Sequence, residues 1–203
     1  MTDKNYNQPR ISINKVYTKK GDNGSTNIVG GHKVDKSSNR IKAFGEIDEL
    51  NVIVGMCVFD VTLIENKHSK EVSSYLQRIQ HELFNLGNMI ATLPEDFNEK
   101  MPSISLTDID YMENKIDFFN DSLPTLNSFI LPGGSELSIR LHFARVVCRS
   151  CERTIVRLSK EEDVNNVVIA YLNRLSDLFF VLSRWVNNKK KVKEFLWNPN
   201  FKD

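Results

Sequence analysis

Proline is missing from two long stretches of the sequence, and this absence constrains the fold more than any other feature. No Pro occurs between Pro9 and Pro94, or between Pro132 and Pro199. Proline inside a helix removes a backbone hydrogen bond and clashes with the preceding turn, so stretches without it are free to form long helices. Most of the chain is therefore open to helical structure.

Apolar residues recur at helical spacing through these stretches. The pattern predicts helices over residues 41–64, 72–92, 107–120, 136–158 and 165–187. We expect Thr107 to cap the third helix and the segment from Gly133 to Glu136 to open the fourth. No long segment alternates with a period of two, and no internal repeat is visible. The predicted fold is all-α, a five-helix bundle with an extended N-terminal loop.

The length of 203 residues fits one domain with a single core. Within this domain we separate a Gly-, Asn- and Ser-containing lead over residues 1–40, a helical bundle over residues 41–188 and a basic tail over residues 189–203. Neither the lead nor the tail is large enough to form a domain of its own.

The charge balance excludes several classes of partner. The 27 Lys and Arg residues against 26 Asp and Glu residues give a net charge of +1, so no overall field attracts nucleic acid or an anionic membrane. Any anion site must therefore be local.

The polar N-terminus lacks the pattern of a secretory signal, and we expect a cytoplasmic protein. The odd cysteine count favours reduced, packed thiols at Cys57, Cys148 and Cys151.

A glycine-containing segment in the lead is the first candidate for chemistry. Residues 18–27 carry Gly21 and Gly24 between hydroxyl side chains, with Lys19 and Lys20 beside them. The backbone N–H groups of such a loop can surround an anion such as a polyphosphate. It is not a P-loop, because the G-x-x-x-x-G-K-[ST] spacing is absent. The alternative is a pair of ordinary turns.

The predicted fourth helix carries a stripe of arginines. Arg145, Arg149, Arg153 and Arg157 recur every four residues, with Glu152 between them. Four guanidinium groups on one face repel one another unless something negative lies opposite. The alternative is a solvated face that carboxylates of neighbouring helices neutralise.

Other polar residues give weaker signals. Asn173 and Asp177 share a face of the fifth helix, where a carboxamide could contact a nucleotide base; a buried Asn that caps a neighbour is the alternative. The four histidines form no triad or metal set: His32, His68, His81 and His142. The lysines over 189–193 fit a helix C-terminus better than a nucleic-acid site.

Five blocks together resemble one family, the PduO-type ATP:cob(I)alamin adenosyltransferases. The blocks cover residues 17–26, 43–51, 129–134, 145–153 and 171–177, in that order along the chain. The joint pattern is far more specific than any single block. The resemblance implies a homotrimer of five-helix bundles, with an ATP site at each subunit interface, that makes adenosylcobalamin.

The resemblance also implies roles for individual residues. It assigns triphosphate binding to the loop and to one following lysine: Thr18, Lys19, Lys20, Gly21, Asp22, Gly24, Ser25, Thr26, Asn27 and Lys36. It assigns further ATP contacts to Arg149, Ser150, Cys151, Glu152, Arg153 and, on the adenine side, Asn173. Asp48 and Arg145 resemble a charged pair that links subunits near the corrinoid, and Phe129 resembles the aromatic residue at the lower face of cobalamin. The implied catalytic set is Asp48, Phe129, Arg145, Arg149 and Glu152.

Two positions depart from the family pattern. Ser150 stands where some relatives have another arginine, and residues 36–38 replace a more acidic stretch. The core blocks are intact.

The implied reaction needs no protein nucleophile. Cob(I)alamin itself attacks the 5′ carbon of ATP, so the protein must stabilise the leaving triphosphate with cations, among them Mg²⁺, whose ligands the sequence does not identify. A reductase is expected to supply cob(I)alamin. The competing hypothesis is a bundle that binds ATP or a corrinoid without turnover, as a sensor or delivery protein. Nucleic-acid and membrane partners are not expected.

Overall fold

The computed structural model describes Tyr17, residues 19–62 and residues 69–202. Two short strands precede the helices, β1 (Ser25–Asn27) and β2 (Lys33–Asp35). Five α-helices follow within these residues: α1 (Asn39–Thr62), α2 (Ser69–Ile90), α3 (Leu106–Asn120), α4 (Glu136–Leu158) and α5 (Asn166–Lys189). One-turn 3₁₀ helices lie at Val29–Gly31 and Pro94–Asp96. The predicted five-helix fold is confirmed.

The hairpin in the lead was not predicted. Strands β1 and β2 pair antiparallel, with Thr26 opposite Val34. Each strand has only three residues, which is too short for a period of two to stand out in the sequence. The described part of the lead therefore includes a folded hairpin, whose first strand holds the last three residues of the candidate loop.

Helix starts follow the local capping chemistry. The prediction that Thr107 caps the third helix is wrong, because Ser105 and Asp108 form a reciprocal capping box two residues earlier. The Asp108 carboxylate accepts hydrogen bonds from the Ser105 backbone N–H at 3.0 Å and from its hydroxyl at 2.7 Å. Ser135 caps α4, within the segment from Gly133 to Glu136 that was predicted to open this helix, and Asn165 caps α5.

Helices α1 and α4 pack antiparallel. The Thr154 hydroxyl donates to the Glu46 carboxylate at 2.9 Å, and Arg140 pairs with Asp60 toward the other end of both helices. The first residues of α1 and the last residues of α4 lie together at one end of the bundle. We call it the hairpin end, because the hairpin lies beside Ala91 there. We call the opposite end, where α4 starts and α5 ends, the turn end.

Helix α5 is the central element of the core. It packs on α3 and α4 and buries most of its residues, including Tyr171, Leu175 and Phe179. By length and composition α5 is apolar enough to cross a membrane, but 56% of that window is buried inside the bundle. Such burial is typical of a core helix.

Candidate active site

The candidate phosphate loop is held in shape by its own backbone and by Lys36. The Gly24 N–H donates to the Gly21 carbonyl at 3.3 Å, and the Lys36 N–H donates to the Gly24 carbonyl at 2.9 Å. Gly24 has φ +83°, which favours glycine. A Cβ at Gly21 would lie 3.2 Å from the Lys36 ammonium, so glycine lets this cation approach the loop. Thr18 lies outside the described residues.

The hairpin is anchored to the end of α2. The Val29 N–H donates to the Ala91 carbonyl at 2.9 Å, and His32 pairs with Asp96 at 2.7 Å. A cleft of about 370 Å³ lies under the hairpin, with Thr26 and Lys36 among its lining residues. The loop is thus fixed at the hairpin end, beside a space of ligand size.

The arginine stripe is not neutralised. Among the described residues, none of its four members forms an ion pair with a carboxylate. The Arg145 Nε is buried without a hydrogen-bond partner in that part of the chain. Burial, and next the charge of Arg149, lower the pKa of Arg145. In the described chain the stripe is therefore a largely solvated face that no carboxylate of a neighbouring helix pairs with.

Glu152 and Asn173 come together in the half of the bundle that is nearer the hairpin end. The Asn173 amide donates to the Glu152 carboxylate at 2.9 Å and joins α5 to α4. Asn173 is exposed, so the alternative of a buried capping Asn is wrong. Asp177 instead pairs with Arg174 at 2.7 Å. Arg149 and Arg153 flank Glu152 on α4, which gives one polar patch with donors and acceptors.

Cys151 corrects one prediction. Its side chain is fully buried, and its thiol donates to the Glu46 carbonyl at 3.0 Å. Burial, and next the charge of Glu46, raise the pKa of this thiol to about 12. The implied ATP contact is therefore wrong for the Cys151 side chain, which packs in the core. Cys57 and Cys148 are also free and buried, as predicted.

Phe129 lies at the turn end and is 79% exposed. Its carbonyl accepts a hydrogen bond from the Trp197 N–H at 2.7 Å, and its ring meets the Trp197 indole edge-on at 6.3 Å between centroids. Sequence reasoning missed Trp197, because nothing in the sequence of the tail shows that it returns to this segment. The aromatic residue of the family pattern thus has an aromatic neighbour from the tail.

One chain does not bring all the predicted residues together. The loop lies at the hairpin end and Phe129 at the turn end, and the 23 residues of α4 that separate these ends span about 34 Å. Asp48 and Arg145 are apart as well. Because Glu46 of α1 pairs with Thr154 of the antiparallel α4, Asp48 lies at the level of Glu152. Arg145 lies two turns of α4, about 10 Å, from Glu152 toward the turn end.

The described residues contain no group of three or more His, Cys, Asp or Glu that could hold a metal ion. His32 and His81 are exposed, and His142 is buried near Ser183. His68 lies outside the described residues.

Three comparisons agree on the family. A sequence profile of cobalamin adenosyltransferases matches residues 16–186. The corrinoid adenosyltransferase of Bacillus subtilis (strain 168) is 39% identical over 178 residues, which cover 88% of this chain and 89% of that protein. The corrinoid adenosyltransferase of Mycobacterium leprae (strain TN) is 38% identical over 195 residues, with 93% and 98% covered.

A solved structure is similar in fold as well as in sequence. It is a variant PduO-type ATP:corrinoid adenosyltransferase from Lactobacillus reuteri, complexed with cobalamin and ATP. It matches with a TM-score of 0.83 and 38% identity, and the match covers 90% of this chain and 99% of that chain. The shared fold, the similar sequences and the arginine stripe lead to one conclusion: this chain belongs to the cobalamin adenosyltransferase family.

Proposed function

We propose that this protein transfers the 5′-deoxyadenosyl group of ATP to the cobalt of cob(I)alamin, forming adenosylcobalamin and releasing triphosphate. The observation that carries the proposal is the arginine stripe, which no carboxylate of the described chain neutralises and which lies beside the Glu152–Asn173 pair. In a chain of this family, an uncompensated stripe fits a polyanionic substrate.

The chemistry asks little of the protein beyond placement and charge. The cobalt of cob(I)alamin attacks C5′ of ATP, so that a Co–C bond forms and the C5′–O bond breaks. The electron pair of that bond leaves with the triphosphate, and the cobalt is formally oxidised from Co(I) to Co(III). No general base is required. Arg149, Arg153 and the loop lysines stabilise the charge that develops on the leaving group.

The loop and the arginine stripe contact different sides of ATP. The loop, with the Lys36 ammonium close to Gly21, holds the triphosphate, while Arg149 faces it from α4. The exposed Asn173 amide contacts the adenine. Glu152 accepts a hydrogen bond from that amide and so fixes its direction. Orientation by such pairs lowers the barrier by holding C5′ in line with the cobalt.

Phe129 acts on the corrinoid. Its exposed ring occupies the lower face of cobalamin and keeps water and the lower axial ligand off the cobalt. Cob(II)alamin that is left four-coordinate is easier to reduce. One electron from a reductase then gives cob(I)alamin, so the protein assists formation of the nucleophile as well as its attack.

Mg²⁺ accompanies ATP. The described residues hold no cluster of three or more His, Cys, Asp or Glu, and the ion would be held by the ATP phosphates together with oxygen groups of the loop. The hydroxyls of Ser25 and Thr26 and the carboxylate of Asp22 are oxygen groups of the kind that Mg²⁺ and its waters accept. The ion adds positive charge at the leaving group.

The working unit is a homotrimer whose sites lie between subunits. The separation of the loop from Phe129 within one chain supports this, because two subunits can join what one holds apart. The buried Arg145 Nε, which has no hydrogen-bond partner in the described chain, also supports it, since Asp48 of a neighbouring copy can reach it where its own Asp48 is two turns away. Exposed apolar residues line α1 and α4 for such contact: Val52, Met56, Phe59, Ile139, Phe143 and Val146.

The cellular setting follows from the substrates. ATP and strongly reducing corrinoids belong to the cytoplasm, where three buried free thiols also stay reduced. We therefore place the protein in the cytoplasm, next to a reductase that supplies cob(I)alamin. A nucleic-acid or membrane partner has no support in the charge distribution.

The experiment that tests the function is a visible spectrum. Cob(I)alamin is mixed anaerobically with the protein and Mg-ATP, and conversion to adenosylcobalamin is followed. We expect conversion with ATP and none without it. A bound corrinoid that never acquires a Co–C bond would favour the sensor or delivery protein instead.

A further inference from the structure

The turn between Phe129 and α4 is built around one buried side chain. Asn187, in the last turn of α5, is 2% exposed. Its carboxamide oxygen accepts hydrogen bonds from the Ser135 N–H at 3.0 Å and from the Ser135 hydroxyl at 3.1 Å. Its amide nitrogen donates to the Gly133 carbonyl at 3.2 Å and to the Ser138 hydroxyl at 3.0 Å. A single carboxamide thus holds both sides of the turn.

The turn packs closely against the Asn187 carboxamide. Gly134 has φ +96°, and a Cβ there would lie 2.4 Å from the Asn187 amide nitrogen. A larger residue at Gly134 would push the carboxamide away or shift the turn. The turn and α5 therefore have one relative position in which all four hydrogen bonds form.

Asn187 also starts the tail that supports Phe129. Its backbone carbonyl accepts a hydrogen bond from the Val192 N–H at 2.9 Å. The tail then runs beside the Phe129 segment, where the Leu131 N–H donates to the Phe195 carbonyl at 2.8 Å. The segment that carries Phe129 is thus held from two sides, and both supports meet at Asn187.

We propose that Asn187 is a positioning residue for adenosylation, which sets the direction of Phe129 toward the lower face of the corrinoid. The inference rests on the function proposed above for Phe129. A ring that is 79% exposed has few contacts of its own to fix its direction, so the backbone beneath it must be fixed. Only a carboxamide offers two donors and an acceptor to opposite sides of one turn.

The test uses Asn187→Ala and the nearly isosteric Asn187→Asp, which loses both donors and brings a charge against the Gly133 carbonyl. The first readout is the spectrum of cob(II)alamin bound with Mg-ATP, which reports the four-coordinate fraction. The second readout compares adenosylation that starts from cob(II)alamin plus a reductant with adenosylation of ready-made cob(I)alamin.

Both variants should lower the four-coordinate fraction. They should slow the reaction from cob(II)alamin by about tenfold to a hundredfold, the range expected for misplacement of a reacting group. The KM for ATP and the rate with ready-made cob(I)alamin should change far less. In a double variant, Asn187→Ala should slow the reaction from cob(II)alamin no further than Phe129→Ala alone does, because both substitutions remove the same effect.

The matched control is Tyr171→Phe. It removes another buried hydrogen bond of α5, from the Tyr171 hydroxyl to the Glu82 carboxylate at 2.8 Å, inside the bundle and away from the turn. It should cost stability but keep the wild-type spectrum. If Asn187→Ala does not fold, Gly134→Ala provides the test, because its methyl group displaces the same carboxamide from the side of the turn.

Each outcome decides the inference. Folded Asn187 variants that keep the four-coordinate fraction overturn it, and so does an equal loss in Tyr171→Phe. If the wild type adenosylates and Phe129→Ala is impaired while the Asn187 variants are not, this inference fails and the proposed function stands. If the wild type forms no adenosylcobalamin, or Phe129→Ala behaves as wild type, the proposed role of Phe129 fails and this inference fails with it.

Discussion

Arg149 is exposed and has no carboxylate partner in the described chain. A guanidinium that bonds phosphate contributes roughly 1.5 to 3 kcal/mol, about one to two powers of ten in a rate or equilibrium constant. Arg149→Ala should lower kcat/KM for ATP by about that factor. Arg149→Lys should recover only part, because an ammonium lacks the planar fork.

The control for this prediction is Arg157→Ala, which removes an exposed arginine from the last turn of α4, outside residues 149–153, to which the family pattern assigns ATP contacts. It should leave kcat/KM near wild type. Thermal unfolding with and without Mg-ATP separates binding from folding, since a ligand that binds only the folded state raises the midpoint. If Arg149→Ala kept both the ATP-induced shift and the activity, the stripe would have a structural role only.

His142 predicts a pH dependence of stability. Burial, and next the charge of Arg145, lower its pKa from 6.5 to about 4. As pH falls below 6.5, His142 becomes protonated in the unfolded chain, whereas in the folded chain it stays neutral down to about pH 4. The free energy of unfolding therefore decreases between these two pH values and does not depend on His142 above 6.5. The loss should be roughly 3 kcal/mol, because the shift from 6.5 to about 4 corresponds to about 1.4 kcal/mol for each pKa unit.

Urea unfolding of wild type and His142→Leu at several pH values measures this contribution. The difference between the two curves should change between pH 6.5 and about 4 and stay constant at higher pH. A constant difference across the window would show that His142 does not titrate as its burial predicts.

At the scale of elements, the hairpin carries two lysines that differ in position. Lys36 lies against Gly21 of the candidate loop, whereas Lys33 is an exposed residue of β2. Lys36→Ala should raise the KM for ATP by about tenfold or more, the effect of losing one charged hydrogen bond. Lys33→Ala removes the same charge from the same hairpin and should leave the KM unchanged. Equal effects would mean that the hairpin attracts ATP only through its net charge.

The elements also show what the sequence could predict. The helices were predictable because their apolar residues repeat over many turns, and the stripe because its arginines repeat every four residues. The predicted cap of α3 was wrong by two residues, because Ser105 and Thr107 both carry a hydroxyl that can cap a helix and Ser105 does so. The family pattern supplied Asp48 and Phe129, to which residue chemistry alone gave no role.

Contacts between distant segments were not predictable. In the sequence, Asn187 is an ordinary polar residue near a helix end. Its role in holding the turn exists only because the segment from Gly133 to Ser135 packs on it. Trp197 meets Phe129 across 68 residues of chain, and no local pattern encodes that return. The hairpin is likewise stabilised by Ala91, at the far end of α2. Periodicity describes one element at a time and carries no information on such pairs.

At the scale of the whole molecule, the proposed trimer depends on the apolar faces of α1 and α4. Light scattering should give a mass near 70 kDa, three times the 23.4 kDa of one chain. Phe59→Asp places a charge on the 63% exposed Phe59 of α1 and should yield monomers without activity. Phe118→Asp changes a similarly exposed residue on α3 and should stay trimeric and active. An active wild-type monomer would refute the shared site.

The most direct test of adenosyl transfer by this protein is the stoichiometry of products over many turnovers. ATP, cob(I)alamin and a trace of the protein are incubated anaerobically, and adenosylcobalamin and triphosphate are quantified. We expect one adenosylcobalamin and one intact triphosphate for every ATP consumed, with many products formed per subunit. Corrinoid bound in proportion to protein, with ATP unchanged and no Co–C bond, would contradict it and identify a binding protein instead.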